Sequence, residues 1–184
     1  EKSFLPATIR EAEDRYRKIK QDAAKKGGND AHDASGINIA QNAKLLERSK
    51  TEIVNSKTNE VKVTNRGGQF TATIKILPPI NKKQHRVVLV DSIEGNILWE
   101  PAIVNGEHAV SINRNHDFYT KVYGPNIENA DLIQGLDSLL WGLAEAEMST
   151  FNDYTREQYE EMRNQVSHIL KKLVRDLEDP ESDE

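Results

Sequence analysis

An α+β fold, with N-terminal helices, a central antiparallel sheet of about five strands and a C-terminal antiparallel helix pair, is what this 184-residue sequence predicts. Three observations carry it. The apolar period is helical in the first 50 residues, becomes two between about 52 and 114, and returns to helical after Pro125. Loops between the successive β-type segments are short, which favours antiparallel pairing because parallel neighbours need a long crossover. Two long apolar stripes at helical spacing then follow, separated by Phe151-Asn152-Asp153. The expected organisation is a helical segment over 1–50, a β region over 51–124, and a helical pair with a disordered acidic tail over 125–184.

Each element has a local reason. Residues 7–26 carry Ile9, Ala12, Tyr16 and Ile19 at helical spacing. Thr8 and Glu11 form a capping-box pair at the start, and Gly27-Gly28 ends the segment. The small, polar run GGNDAHDASG (27–36) reads as a flexible loop. Residues 37–50 read as a second helix with Ile39, Ala43 and Leu46 on one face. EVKVTN, FTATIKIL, HRVVLVDSI, ILWEPAIV and HAVSIN are the five strand segments. Asn65-Arg66-Gly67-Gly68, Glu94-Gly95-Asn96 and Asn105-Gly106 read as hairpin turns, the last most strongly. Pro78-Pro79 punctuates the connection after the second segment.

Beyond Pro125, Leu132, Leu136, Leu139, Leu140, Leu143 and Met148 form one stripe. Gly135 and Gly142 lie seven apart on nearly the same face and permit close helix packing, at roughly 1 kcal/mol each relative to Ala. Asn152 or Asp153 caps the next helix, where Tyr159, Met162, Val166, Ile169, Leu173 and Leu177 trace a near-heptad seam. Two such helices joined by a short turn are expected to bury each other's stripes. The tail DPESDE is expected to fray.

Composition narrows the function classes. Apolar residues are 36% and charged residues 30%, enough for a core under a heavily charged surface. With no cysteine, disulfides and thiolate metal sites are excluded, and a cytoplasmic location fits. No run approaches the roughly 18–20 apolar residues of a membrane span, so no membrane partner is expected. The chain starts at Glu1 without Met and reads as an excised C-terminal piece. Its net charge of −5 is polarised: +3 over 1–50, +2 over 51–125 and −10 over 126–184. The basic N-terminal half could face DNA phosphates, and the acidic third could not. Ordinary solvated surface is the plainer reading of both.

Candidate chemistry is sparse. The histidines are His32, His85, His108, His116 and His168. His108 and His116 flank a strand beside Glu107 and Asp117, so a metal-dependent nuclease centred on them is conceivable. Their spacing matches neither HExxH nor a compact zinc knuckle. Ser92, Ser111 and Ser138 lack a glycine-framed elbow, and NRGGQF is a turn rather than a phosphate loop. Glu145 with Glu147, and Glu160 with Glu161, read as solvated pairs. No catalytic residue and no metal ligand is assigned. For a homo-oligomer or a protein partner docking on the C-terminal helices, the candidates are Trp99, Trp141, Met162, Val166, Ile169 and Leu173. The two tryptophans have a core reading as well.

The junction SINRNHDFYTKVYGP (111–125) concentrates Asn, His and Asp. Asn113 and Asn115 suit the end of a strand, and Asp117 suits the N-cap of a short helix that Phe118 and Val122 wedge against the sheet. His116 is expected to orient this junction rather than transfer protons. Its pattern I-N-x-x-H-x-F-Y (Ile112, Asn113, His116, Phe118, Tyr119) precedes L-L-W-x-L-A-E-A-E (Leu139 to Glu147) and a long amphipathic helix. That order resembles the C-terminal region of bacterial and phage ATPases of the GHKL superfamily, the class of gyrase, the mismatch-repair MutL protein and microrchidia-like ATPases. EKSFLPATIREAEDRYRKI likewise resembles the helix leaving their ATPase core. The likeness spans nearly the whole chain through short motifs. The acidic Glu-and-Asn helix and glycine-rich lid that bind ATP and magnesium in that superfamily have no counterpart here. The resemblance therefore implies a non-catalytic accessory region, transducer-like or dimerising, acting in DNA transactions. ATP and magnesium would belong to the full-length protein. A stand-alone protein-binding or phage structural module is the alternative, and the His108/His116 nuclease a further one.

Overall fold

The structure, a computed structural model, describes residues 31–80, 85–150 and 152–177. The expected helix over 7–26 and the DPESDE tail lie outside the described residues. Among the described residues the fold is α+β, with seven strands in two sheets and helices at either end of the β region.

Helix α1 covers residues 31–46. It overruns half of the expected loop, because His32, Ser35 and Gly36 are buried in the fold and packing overrides the weak helix propensity of GGNDAHDASG. Ile39 and Ala43 enter the core as expected, whereas Leu46 is 55% exposed. Lys50 already belongs to a strand.

Strands β1 (Lys50–Asn55), β2 (Glu60–Asn65) and β3 (Gly68–Thr73) form an antiparallel sheet in that order. The turn after β2 is the expected two-residue hairpin, since Asn65 pairs with Gly68. β4 (Lys75–Ile76), β5 (Val87–Val90), β6 (Trp99–Val104) and β7 (Glu107–Asn113) form a second sheet in the order β4-β6-β7-β5. β6 and β7 are the hairpin that Asn105-Gly106 announces. Both turn residues sit at positive φ, 52° and 79°, as a type I′ turn requires.

The turn at Glu94–Asn96 is a single 3₁₀ turn and not a hairpin. β5 instead pairs with β7 in parallel, and β4 with β6 in parallel. A short loop fixes antiparallel direction but not adjacency. β5 and β6 run antiparallel about 10 Å apart, two strand spacings, and β7 later fills the gap between them. Central β7 is buried from His108 to Asn113.

α2 (Ala130–Met148) lies across β6 and β7, and α3 (Asp153–Leu173) packs beside α2 and on β6. Side chains of Asn129 and Asn152 cap the two helices, accepting from the backbone N–H of Leu132 and Thr155. One core joins Ile39 and Ala43 of α1, Val61 and Val63 of β2, Trp99 and Ile103 of β6, Val110 and Ile112 of β7, and Ile133, Leu140 and Trp141 of α2. Each large side chain buried there contributes about 1.5–3 kcal/mol.

The helix pair forms, but the two stripes do not bury each other. α3 buries Arg163 and Ser167, with Val174 just beyond its end, while Met162, Ile169 and Leu173 are 36%, 53% and 71% exposed. The expected seam lies one residue, about 100° of helix, away from the buried row. α3 docks through polar groups, described next, and these set its rotation. No described helix is long and apolar enough to cross a membrane.

Candidate functional site

The junction after β7 is a built cap. Asn113 sits at the strand end, fully enclosed, and its amide donates to the carbonyl of Ile97 at 3.1 Å while its Oδ1 accepts from the N–H of Asn115 at 3.0 Å. His116, not Asp117, is the N-cap. Its carbonyl accepts from the N–H of Thr120, and its Nδ1 accepts from the N–H of Phe118 at 3.1 Å. That fixes the tautomer, so Nε2 donates to the carbonyl of Ser167 on α3 at 3.1 Å. Burial holds the His116 imidazole below its ordinary pKa, opposed by that bond to Ser167. The ring ties α3 to the junction through that bond. Ser167 also accepts the N–H of Leu98 on its hydroxyl, at 3.0 Å.

The helical turn that follows is a π-helix, Tyr119–Tyr123, closed by the N–H of Gly124 on the carbonyl of Tyr119. Its wide turn stacks Tyr119 on Tyr123, centroids 4.8 Å apart. The pair meets His32 of α1 and Asp137 of α2 in a closed network. Asp137 accepts from His32 Nδ1 at 2.7 Å and from the Tyr123 hydroxyl at 3.1 Å. His32 Nε2 lies 2.9 Å from the Tyr119 hydroxyl. All four side chains are at most 9% exposed. Burial first, and the Asp137 charge second, push both phenols well above their ordinary range. They stay protonated and act as donors.

A second imidazole–carboxylate pair lies further along α2. His108 Nδ1 donates to Glu145 at 2.6 Å, and Nε2 lies 3.1 Å from the Thr51 hydroxyl. The other oxygen of Glu145 accepts from Ser149 and from the N–H of Arg48. The carbonyl of His108 accepts from Arg86 and from the indole of Trp141. Arg86 is itself buried between Glu47 and Glu107, at 2.6 and 2.7 Å. At the end of α2, Glu147 takes a two-pronged bond from Arg163 of α3, at 3.0 and 3.1 Å. Burial raises the Glu147 carboxyl pKa even against the lowering by Arg163.

These nodes are structural in form. His108 and His116 sit at opposite ends of β7, and each has both ring nitrogens engaged by protein groups. Among the described residues no three His, Asp or Glu side chains converge as a metal-binding group. An open depression of about 400 Å³ lies between β2, β3 and the start of α3, lined by Thr58, Glu60, Thr71, Thr73, Asp153 and Arg156. Asp153 and Arg156 pair with each other there, and it lacks the apolar enclosure of a small-molecule site.

The sequence-level candidates divide cleanly. Trp99 and Trp141 are 1% and 4% exposed, so neither is open to a partner; both are core. Glu145 and Glu147 are buried rather than solvated, Glu145 hydrogen-bonded to the His108 ring and Glu147 paired with Arg163. Val166 is half-buried against the core, while Met162, Ile169 and Leu173 do face outward. Sequence reasoning missed His32, Asp137 and Arg163. A signal existed for one: Asp137 falls on the apolar row Ile133–Leu140–Trp141–Ala144, where a charge must find a buried partner.

What remains on α2 is its outer face. With Asp137, Glu145 and Glu147 turned inward, the exposed residues there are Asp131, Leu132, Gly135, Ser138, Leu139 and Gly142, while Leu136 and Leu143 are half-buried against the core. Leu139 is 59% exposed. A side chain at either glycine would meet open space. Beyond Asp131 in its first turn, this 19-residue helix shows no charge to solvent. No family model, curated protein or solved structure matches the chain.

Proposed function

We propose that the chain is a non-catalytic assembly region of a GHKL-type ATPase, acting in DNA transactions in the cytoplasm. The uncharged apolar face of α2 is the observation that carries the assembly role, because monomeric surfaces rarely leave such stripes to water. The bound state of His32, His108 and His116 supports a non-catalytic reading, since each is committed to holding elements together. The motif order from Ile112 to Glu147 supports the superfamily, with ATP and magnesium held by another part of the full-length protein. For DNA the support is the basic first half. Part of that charge is already neutralised, as Arg86 is buried in ion pairs and Arg114 pairs with Asp91.

The same outer face would serve a stand-alone protein-binding or phage structural module. The sequence encoded upstream of Glu1, and ATP turnover by the full-length protein against this chain alone, separate the two. A nucleotide-binding core upstream, with turnover only in the full-length protein, is the expected result. Absence of that core, or turnover by this chain alone, overturns the ATPase reading.

A further inference from the structure

We infer that His116 is a proton-operated latch: one added proton uncaps the junction turn and frees the C-terminal half of α3 while the rest of the fold stays closed. This regulation is independent of the assembly role above. Among the described residues three histidines are buried, and they differ in what their second nitrogen faces. His32 and His108 each donate through Nδ1 to a carboxylate, and Nε2 meets a hydroxyl, that of Tyr119 or Thr51. A hydroxyl rotates, so it serves a neutral ring as donor and a charged ring as acceptor. Those two rings tolerate a proton. At His116 the Nδ1 acceptor is filled by the backbone N–H of Phe118, at 3.1 Å. That N–H is fixed by the chain and cannot become an acceptor. A proton on Nδ1 sets donor against donor, and flipping the ring brings no relief, because both nitrogens of the cation carry hydrogen.

What the ring holds decides what it releases. Its Nε2 bond to the Ser167 carbonyl lies in the same rigid ring, so a ring that swings away from Phe118 leaves Ser167 too. The turn it caps also carries Lys121, whose ammonium donates to the carbonyls of Arg175 and Leu177 at 2.8 and 2.9 Å. Both sets of polar ties on the second half of α3 therefore start from one capped turn. The first half is held elsewhere, by Arg163 on Glu147 of α2. Burial keeps the Glu147 carboxyl above its ordinary pKa, so falling pH favours its docked form. Beneath the second half the apolar hold is small: Val174 is buried, and Val166 and Leu170 are half-buried. Few buried apolar contacts under a polar tie make local opening cheap.

The surroundings of the ring set the pH. Burial, the largest effect, opposes a proton on the closed ring. Lys171 and His168 of α3 oppose it as well, while the Ser167 carbonyl and Asp117 favour it. The segment entering β6 reaches this point through the backbone N–H of Leu98, which is uncharged. In the closed fold His116 is 1% exposed, so the proton enters on opening and holds the open state. An open ring has the ordinary imidazole pKa of about 6.5 and the closed ring lies below it, which confines release to pH below about 6.5.

Amide exchange of the whole chain, corrected for its intrinsic pH dependence, tests the latch. Between about pH 7.5 and about pH 5, protection over residues 168–174 is expected to fall about fivefold or more, with that of β6, β7 and residues 156–163 unchanged. His116→Asn keeps a capping acceptor and does not titrate, so its protection over 168–174 is expected to be equal at the two pH values. His168→Gln removes the other imidazole of α3 and is expected to keep the response. Imidazole-nitrogen NMR of the unmodified chain is expected to find His116 protonated on Nε2 alone at the higher pH. Protection over 168–174 that ignores pH, or a loss shared equally by β6 and β7, overturns the latch. So does a response that survives in His116→Asn or vanishes in His168→Gln, and so does a proton on Nδ1 at the higher pH. Exchange and NMR of the unmodified chain decide the matter even where His116→Asn does not fold.

Discussion

α2 and α3 are neighbouring helices of 19 and 21 residues, yet they place their charges in opposite directions. α3 follows the usual surface pattern on its outside, with Glu157, Glu160, Glu161, Lys171 and Lys172 exposed. Its buried side is polar at the key positions, Arg163 and Ser167. α2 turns its acids inward, each onto a different element: Asp137 to α1 and the π-helix, Glu145 to β7, Glu147 to α3. Its outside is left apolar. A helix that clamps its neighbours with buried ion pairs loses those charges from its surface, so an outer apolar stripe follows from an inner polar one.

The largest test of that contrast is Arg163→Met. Removing the cation leaves Glu147 buried and uncompensated, and urea denaturation should report a loss of about 3–5 kcal/mol. Adding Glu147→Leu should restore most of it; no recovery would mean that α3 is held by something else. The Glu147 carboxyl is already raised above its ordinary value, so its ionisation weakens the fold as pH rises through the 4.5 of a free carboxyl toward that higher value. In Arg163→Met this loss with rising pH should steepen.

Asp137→Asn comes next. It keeps the shape but removes the charge and replaces one of the two oxygens that accept separately from His32 and Tyr123 with a donor, at an expected cost of about 1–3 kcal/mol. Amide exchange should open first where α1 meets α2, and protection unchanged there would break the claim that this network ties the two. His116→Asn should be milder, about 1 kcal/mol at neutral pH, because Asn retains a capping acceptor but loses the bond to Ser167. Native His116 has a depressed pKa, so below about 6.5 the unfolded chain binds a proton first and stability falls with pH. The variant should flatten that slope in a pH series of denaturation midpoints. The smallest effect belongs to the outer row of α3: Leu173→Ala should stay within about 0.5 kcal/mol. A larger loss would return the buried role to the heptad seam.

Much of this fold was legible where the signal is local. Asn105-Gly106 dictates its hairpin through backbone conformation alone, and Asn129 and Asn152 cap helices with their own side chains. The apolar period of α2 points to Leu132, Leu136, Leu139 and Leu143, whereas the buried row is Ile133, Leu140, Ala144 and Met148, so only Leu140 and Met148 of the expected stripe are fully buried. Other features were not legible because two candidate solutions satisfy the same local pattern. α3 carries a heptad row and, one residue away, a row of Arg163, Ser167, Leu170 and Val174. Periodicity favours the first, and the buried partners Glu147, Leu98 and His116 select the second. The candidate site followed the same rule. The junction residues Asn113, His116, Phe118 and Tyr119 could be read as a unit, but His32 joins Tyr119 only across 87 residues of chain.

By itself, then, the sequence determined the α+β class, most of the strand segments though not β1, a strand-to-helix junction after Asn113, and the lack of any thiolate chemistry. These depend on composition, on period, or on bonds between residues a few positions apart. The tertiary structure alone decided strand adjacency, the rotation of α3, and the fate of the acids on α2. Those choices turn on which buried donor meets which acceptor across the fold, and on the high cost of leaving a buried charge unpaired. The bare face of α2 is the consequence: its charges are inside, and its leucines and glycines are what is left to meet another surface.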